Sequence, residues 1–260
     1  MSAVCMAQKV QFTPLEKSVV VQRVRAIPGT NQERAARLVE MFADAGCSGN
    51  SLSEQKVEGS DIPNIICRLG KDKGESIIVG AHYDRITSPR RPLDNWSGAV
   101  LLPALYHSLL EKKRSHSFIF VAFADNGNAP SGAESFVQRL GRSQLDHAEA
   151  MVNLDALGLS PTKIWAAHSD KDLVHDLMIM VYALKLPASQ VDIAAAGNTD
   201  SDPFAQRHIP QLTIHSMTQE NVTTGATTAF RPNNYYDTYR LLCGYLAFLD
   251  RSLKPRQHQE

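Results

Sequence analysis

The feature that most restricts how this chain can fold is a regular alternation of short apolar segments with longer segments of helical spacing. The short segments are rich in β-branched and aromatic residues, as buried strands are. Chains with this alternation form a largely parallel sheet covered by helices on both faces, so the sequence predicts an α/β fold. The predicted strands are 64–69, 76–81, 117–124, 150–154, 163–167, 191–195 and 211–214, and the predicted helices are 15–27, 32–45, 95–113, 130–140, 171–184 and 236–253.

The length of the chain suits a single domain. It has 260 residues, of which 43% are hydrophobic, and this is enough for one core of ordinary size. We find no internal repeat, low-complexity tract or linker. We therefore expect one domain over residues 14–253, preceded by an N-terminal extension (1–13) and followed by a solvated tail (254–260).

The composition argues against two classes of function. Lys plus Arg and Asp plus Glu each number 27, so the formal net charge is zero, whereas nucleic-acid-binding proteins usually carry a basic excess. No apolar run approaches the roughly 20 residues that cross a bilayer. The sequence predicts no nucleic-acid partner and no membrane span, and it leaves the oligomeric state open.

The first eight residues leave the compartment open. They lack the charged start and apolar core of a signal peptide, but they resemble the small-residue end of one, with Ala7 as a cleavage position. The chain is either cytoplasmic as given, or secreted or periplasmic after trimming. The cysteines contain no CxxC pair, which argues against a zinc ribbon, a redox motif or a disulfide scaffold, so we expect buried thiols. They are Cys5, Cys47, Cys67 and Cys243.

Residues of types that commonly bind metals follow the predicted strands at their carboxyl ends, where ligands of open α/β sheets bind. His82 and Asp155 each follow a strand, and Asp94 opens a helix. One neutral imidazole with two carboxylates suits zinc, with a fourth position left for water. Asp84 is placed to accept the second ring N–H of His82. Each Asp alone is more commonly a turn residue or a helix cap, and it is their combination that predicts a zinc site.

Several motifs, taken in order, resemble those of the M28 zinc metallopeptidases. They are GAHYD (80–84), DNWSG (94–98), NLDALG (153–158), TDSDPFAQRHIP (199–210) and the closing pair Asp237-Thr238. The resemblance covers about residue 14 to the end. It implies a mixed, mostly parallel sheet with helices on both faces, as in the zinc aminopeptidases. It also implies an aminopeptidase activity, the removal of N-terminal residues from peptides by a pair of zinc ions.

The resemblance implies that one of the two metal sites is complete. In the family, the His of HxD and the Asp residues of DNxSG and NLDxxG hold one metal. They match His82, Asp94 and Asp155. Asp84 matches the carboxylate that orients the ligand His, and Asp94 matches the carboxylate that bridges the two metals.

The same resemblance implies that the second metal site is depleted. The family has a Glu-Glu pair after the strand that matches 117–124, in which the first Glu is the general base and the second is a metal ligand. These positions are Asn126 and Gly127, or Asp125 and Asn126 after a shift of one residue. The last family ligand is a His four residues before the closing Asp, and Asn233 occupies that position.

The missing groups are those that peptide hydrolysis needs. General-base assistance is worth about 100- to 10,000-fold, and the neutral amide of Asn126 cannot accept the proton. Asp125 is a nearby carboxylate that would have to serve instead. We expect at most one zinc ion per chain and an impaired or inactive metallopeptidase.

Four interpretations remain open. The chain is a peptidase that uses Asp125 as its base, or a pseudoenzyme that binds a peptide or small molecule with one zinc ion or none. A glutaminyl-cyclase-like acyltransferase is less favoured, because that relative keeps the Asp, Glu and His site lost here. A purely structural role without metal is also less favoured, because three buried ionisable groups are costly unless fully paired.

Other positions near the expected site carry weaker signals. His215 ends a strand on the same side, where a lone histidine is more often packed or facing solvent than functional. Glu134 lies within a predicted helix and is expected to face solvent. Arg85, Arg90 and Arg91 lie beside the site and could recognise an acidic group, although loop arginines are more often only solvated.

Overall fold

A mixed eight-stranded sheet forms the centre of the molecule. The structure is a computed structural model that describes residues 11–71, 74–85, 94–124, 131–192, 199–218 and 229–254, without the side chains of residues 94 and 95. The strands are β1 (Leu52–Gln55), β2 (Asn64–Leu69), β3 (Ser76–His82), β4 (Ser117–Phe123), β5 (Ala148–Leu154), β6 (Thr162–Ile164), β7 (Ala188–Gln190) and β8 (Gln211–His215). Their order is β1-β2-β4-β3-β5-β8-β6-β7.

The middle of the sheet is parallel. Strands β4, β3, β5 and β8 pair in parallel, and β7 is parallel to β6. The antiparallel pairs lie toward the edges, where β1 joins β2, β2 joins β4 and β6 joins β8. All seven residues of β5 are buried, as expected for a strand covered on both faces. This confirms the predicted mixed, mostly parallel α/β fold.

Helices cover both faces of the sheet. The larger core cluster contains residues of α1, α2, α4, α7 and the last helix, and the smaller one contains residues of α5 and α8. Among the described residues, no helix is long and apolar enough to span a membrane. The helices are α1 (Lys17–Arg25), α2 (Asn31–Asp44), α3 (Asp94–Ala99), α4 (Leu101–Leu109), α5 (Gly132–Arg139), α6 (Arg142–Asp146), α7 (Lys171–Leu184), α8 (Asp202–Ala205) and α9 (Pro232–Ser252).

Some predicted elements differ from the observed ones. The segment predicted as one helix over 95–113 is two helices, α3 and α4. The strand predicted over 191–195 is wrong in its described part, because β7 ends at Gln190 and residues 193–198 lie outside the described residues. The edge strand β1 (LSEQ) was not predicted, since it is short and half polar and depends on pairing with β2.

The expectation of buried thiols is wrong for two cysteines. Cys47 and Cys67 form a disulfide that joins the segment after α2 to β2. The sequence could not show this pairing, because it depends on how α2 packs against the sheet. Cys243 is a free, buried thiol, as expected. Cys5 lies outside the described residues.

Candidate metal centre

Two of the three residues predicted as metal ligands meet at the carboxyl edge of the sheet. His82 is the last residue of β3, and Asp155 directly follows β5, which is the parallel neighbour of β3. The Nε2 atom of His82 lies 3.5 Å from Oδ1 of Asp155. Both side chains are partly exposed, so a ligand or an ion can reach them.

Asp84 lies on the opposite side of the His82 ring. Its Oδ1 atom is 3.6 Å from Nδ1 of His82, which is longer than a hydrogen bond but within the range of an ion pair. The imidazole therefore lies between two carboxylates, one near each nitrogen. A histidine that binds metal through Nε2 needs a partner for the proton on Nδ1, and Asp84 is on the side where that proton would be.

A further carboxylate, that of Asp200, acts on His82. Burial lowers the pKa of His82, but the charges of Asp200, Asp155 and Asp84 outweigh burial and hold this pKa well above its usual value. These residues thus create a position that stabilises positive charge. A divalent cation bound to the neutral imidazole would supply that charge, so the donor set fits zinc.

Asp200 was not predicted as a site residue. It lies within the recognised segment 199–210, and its carboxylate in that motif was the available signal. The ligands predicted from the sequence directly follow apolar strands or open a long predicted helix, whereas Asp200 precedes the short helix α8.

The third predicted ligand, Asp94, begins α3, and its side chain lies outside the described structure. The backbone of α3 is packed closely against both ligand-bearing strands. A Cβ atom on Gly98 would lie 2.4 Å from the carbonyl oxygen of Leu154 and 3.1 Å from Cβ of Ala81. Glycine is therefore required for this contact, which places the helix that Asp94 opens at the same edge as His82.

Hydrogen bonds fix the middle of α3 to two other parts of the site. The Oγ atom of Ser97 accepts a bond from the backbone N–H of Leu157 at 2.8 Å. The hydroxyl of Tyr235, in the first turn of α9, donates to the carbonyl of Ser97 at 2.8 Å. These bonds connect the DNWSG segment to the loop after Asp155 and to the C-terminal helix.

The backbone bends sharply directly after Asp155. Ala156 has a φ of +42°, a left-handed conformation that is unfavourable for a residue with a Cβ by about 1 kcal/mol or more. Its carbonyl accepts hydrogen bonds from the hydroxyl and the N–H of Ser216. The N–H of Asp155 itself donates to Ile214 O at 2.9 Å. The Asp155 side chain is thus positioned by a strained turn that hydrogen bonds to Ile214 and Ser216 hold in place.

His215 is packed, as expected, and is not available as a metal ligand. It is fully buried, and burial lowers its pKa to about 4 against the opposing effect of Asp155. Its Nδ1 atom accepts a hydrogen bond from the N–H of Met217 at 3.2 Å. The proton of the neutral ring is therefore on Nε2, which leaves neither nitrogen with a free lone pair for a metal.

The positions predicted to have lost their ligands are only partly described. Asn233 lies exposed in the first turn of α9, and its Oδ1 atom accepts a hydrogen bond from Nζ of Lys17 at 2.5 Å. The side chain is thus engaged at the surface with α1. Outside the described residues lie Asp125, Asn126, Gly127, Arg90 and Arg91.

The remaining weak candidates lie at the surface. Arg85 is exposed, and its Nη1 atom donates to Gly29 O at 3.1 Å. Glu134 is half-buried on α5 and accepts from Gln138 at 3.3 Å. Within the described part of the chain, no three His, Cys, Asp or Glu side chains are arranged to hold a metal ion, but the carboxylate of Asp94 is not in that part.

The fold is similar to those of solved aminopeptidases and glutaminyl cyclases. The Legionella pneumophila LapA aminopeptidase superposes with a TM-score of 0.79 at 18% identity, covering 92% of this chain and 73% of that one. The zinc aminopeptidase BSAP of Bacillus subtilis gives 0.60 at 17% identity, covering 75% and 52%. A Fimbriiglobus ruber glutaminyl cyclase gives 0.71 at 17% identity, covering 92% and 97%.

At these identities the structural likeness shows the fold alone. No curated protein sequence matches the chain. The model of Peptidase family M28 matches residues 64–240, which is more than half of the chain and includes His82, Asp94 and Asp155. The chain therefore belongs to peptidase family M28.

Proposed function

We propose that this chain is a one-zinc member of family M28 that binds a peptide or a small molecule and has little or no peptidase activity. The zinc ligands are His82, Asp94 and Asp155, and Asp84 orients His82. The observation that carries the proposal is the contact of 3.5 Å between His82 and Asp155, in surroundings that stabilise positive charge.

The residues of the site have separate tasks in this proposal. Zinc, when bound, would polarise a carbonyl group or lower the pKa of a bound water. His82 supplies a neutral nitrogen, and Asp84 holds the proton on the other nitrogen, which keeps the ring in the required tautomer. Asp155 supplies an oxygen from a turn that cannot easily move, because its backbone is bonded to β8.

Weak turnover of peptides is expected because the residues around the zinc site lack a general base and a second set of metal ligands. Peptide hydrolysis needs a group that removes a proton from water, and the amide of Asn126 cannot do this. Asn233 bonds to Lys17 at the surface, which supports the absence of a second metal at its position. With one cation and no Glu base, the site retains binding and loses most of its catalytic power.

A second candidate function is that of a glutaminyl cyclase. One observation favours it, since the alignment covers 97% of the Fimbriiglobus ruber enzyme, so the two chains are of similar length. The sequence opposes it, because Gly127 and Asn233 replace ligands of the zinc site that such enzymes are expected to keep. We therefore place this function below the one-zinc binding protein.

Two assays on zinc-loaded protein separate these candidates. One measures release of nitroaniline from a panel of amino-acid p-nitroanilides, with LapA as the active reference. The other measures ammonia release from a peptide with N-terminal glutamine. We expect kcat/KM at least about 100-fold below that of LapA, as for loss of a general base, and no ammonia. Turnover within tenfold of LapA would refute the impaired site, and ammonia release would favour the cyclase.

A further inference from the structure

A buried arginine of α2 binds the backbone that carries His82 and Asp84. Arg34 is only 3% exposed. Its Nη1 atom donates to the carbonyl oxygens of Tyr83 at 3.0 Å and Asp84 at 2.8 Å. Arg34 lies outside the matched family range of 64–240, and none of the motifs that carry the family resemblance includes it.

The same guanidinium also contacts the other ligand-bearing segment. The Cζ atom of Arg34 lies 5.7 Å from the ring centroid of Trp96, within the range of a cation–π interaction. Trp96 is fully buried in α3, two residues after Asp94. One side chain therefore joins residues 82–84, here called the HYD segment, to the first turn of the helix that begins with Asp94.

The HYD segment needs such support because it extends past the pairing of the sheet. The N–H of Tyr83 donates to Phe123 O at 3.0 Å, which continues the bonding of β3 to β4 by one residue. The carbonyls of Tyr83 and Asp84 are bonded by Arg34. A buried carbonyl that lacks a donor destabilises the folded protein by about 1–3 kcal/mol. Removal of the guanidinium would therefore favour movement of this segment.

The first turn of α2 reinforces this contact. Its N-cap, Thr30, forms a capping box with Glu33 that fixes where the helix begins. From that turn, Oδ1 of Asn31 accepts a hydrogen bond from the N–H of Arg85 at 2.6 Å. The start of α2 thus holds three consecutive residues after His82.

The charge of Arg34 has a cost at this buried position. Placing a guanidinium in the interior is unfavourable, and burial lowers the pKa of Arg34 despite the opposing charge of Asp84. An apolar side chain of similar size would avoid that penalty, but it would leave the carbonyls of Tyr83 and Asp84 without this donor. The guanidinium donates to two carbonyls and lies over an indole, so it connects two segments directly, which an apolar side chain could not do.

We propose that Arg34 is a positioning residue of the metal centre, which holds the HYD segment and the first turn of α3 in the one relative geometry that lets their side chains share a zinc ion. This inference rests on the proposed function for its zinc readout. It extends the determinants of the site to a helix that the family match does not include.

The test uses Arg34→Met and Arg34→Lys, with Arg114→Met as the matched control. Arg114 also donates through Nη1 to backbone carbonyls, those of Leu109, Leu110 and Lys112 at the end of α4, but it contacts neither ligand-bearing segment. Zinc dissociation constants are measured by competition with a chromogenic chelator. The absorption spectrum of the Co²⁺-loaded protein reports on ligand geometry.

We expect Arg34→Met to weaken zinc binding by about 10- to 100-fold, as other outer partners of metal ligands do, and to alter the Co²⁺ spectrum. Arg34→Lys should be intermediate, since an ammonium can donate to the carbonyls but lacks the planar guanidinium that lies over the Trp96 ring. Arg114→Met should lose stability while its zinc affinity stays within about twofold. Equal zinc affinities for Arg34→Met and Arg114→Met would overturn the inference.

A second measurement judges Arg34 without any metal. Amide hydrogen exchange of the metal-free proteins is compared over residues 82–85 and 94–99. Faster exchange in both segments for Arg34→Met, and in neither for Arg114→Met, supports the inference. Unchanged exchange in Arg34→Met refutes it. A wild type that binds no zinc refutes the proposed function instead, and the exchange data still decide the role of Arg34.

Discussion

The Nε2 atom of His82 lies 3.5 Å from Oδ1 of Asp155, across two parallel strands that are neighbours in the sheet. The register of these strands pairs Gly80 with Asn153, so the residues two positions further along point to the same face. The contact therefore follows from the strand order and register of the fold.

The glycine of the DNWSG segment should be intolerant of a methyl group. A Gly→Ala change inside a helix normally stabilises by about 0.5–1 kcal/mol. At Gly98 we expect the opposite, a loss of about 1–3 kcal/mol and weaker zinc binding, because the Cβ would lie 2.4 Å from Leu154 O. Urea unfolding and zinc titration measure both effects. Gly141→Ala is the control, since its Cβ would meet nothing closer than 3.8 Å.

The disulfide between Cys47 and Cys67 should contribute substantially to stability. It closes a loop across a sequence separation of 20, for which chain entropy gives about 3 kcal/mol. We expect the double variant Cys47→Ser/Cys67→Ser to lose about that much in urea unfolding. Air-oxidised wild type, denatured without reductant, should show two titratable thiols, Cys5 and Cys243. Four thiols would contradict the bond, and its presence would favour an oxidising compartment.

The ion pair between His116 and Asp250 should make stability depend on pH. Burial lowers the pKa of His116, but its bonds to Asp250 and the charge of Glu149 outweigh burial and raise it. Burial raises the pKa of Asp250, but the bonds from His116 and Ser115 outweigh burial and lower it. The stabilisation that His116 contributes is fully present below about pH 6.5 and is lost as pH rises through its raised pKa. The stabilisation that Asp250 contributes is present above about pH 3.9 and is lost as pH falls through its lowered pKa.

The pair therefore stabilises most between these limits, and the difference between wild type and His116→Gln measures it. We expect the difference in unfolding free energy to be larger at pH 5.5 than at pH 9. His175→Gln, on an exposed position of α7, is the control for removing a histidine. A difference that does not change with pH would show that the pair makes no net contribution.

The carboxylate of Asp200 should strengthen cation binding without being a predicted ligand. It is the largest of the charges that favour the cationic form of His82. We expect Asp200→Asn to weaken zinc binding by about tenfold, equivalent to about 1.4 kcal/mol, and the loss to shrink at high salt. Isothermal titration at two ionic strengths measures this. Asp172→Asn, at an exposed position of α7, should have no effect, and an equal loss there would indicate only a general charge effect.

The parts of the fold that the sequence predicted well are those governed by local patterns. The runs that became β3, β4 and β5 are apolar and β-branched, and the polar residues that follow β3 and β5 mark the site edge. The strand order, with β4 between β2 and β3, was not predictable, because it depends on contacts between distant residues.

The residues whose roles could not be predicted from the sequence were missed for one physical reason. Arg34 donates to backbone carbonyls, which every residue has. The residues that it binds therefore carry no motif that would reveal the contact. Cys47 and Cys67 meet only when α2 packs on the sheet. Each depends on tertiary proximity, which spacing along the chain does not encode.

Whether the site binds a single metal ion is tested by the zinc content per chain, measured by mass spectrometry of metals after zinc reconstitution of wild type and His82→Ala. We expect one zinc ion per wild-type chain and a large loss in His82→Ala. Two ions per wild-type chain would contradict the depleted site and restore a working two-metal peptidase. No ion, or one retained in His82→Ala, would contradict the proposed ligands.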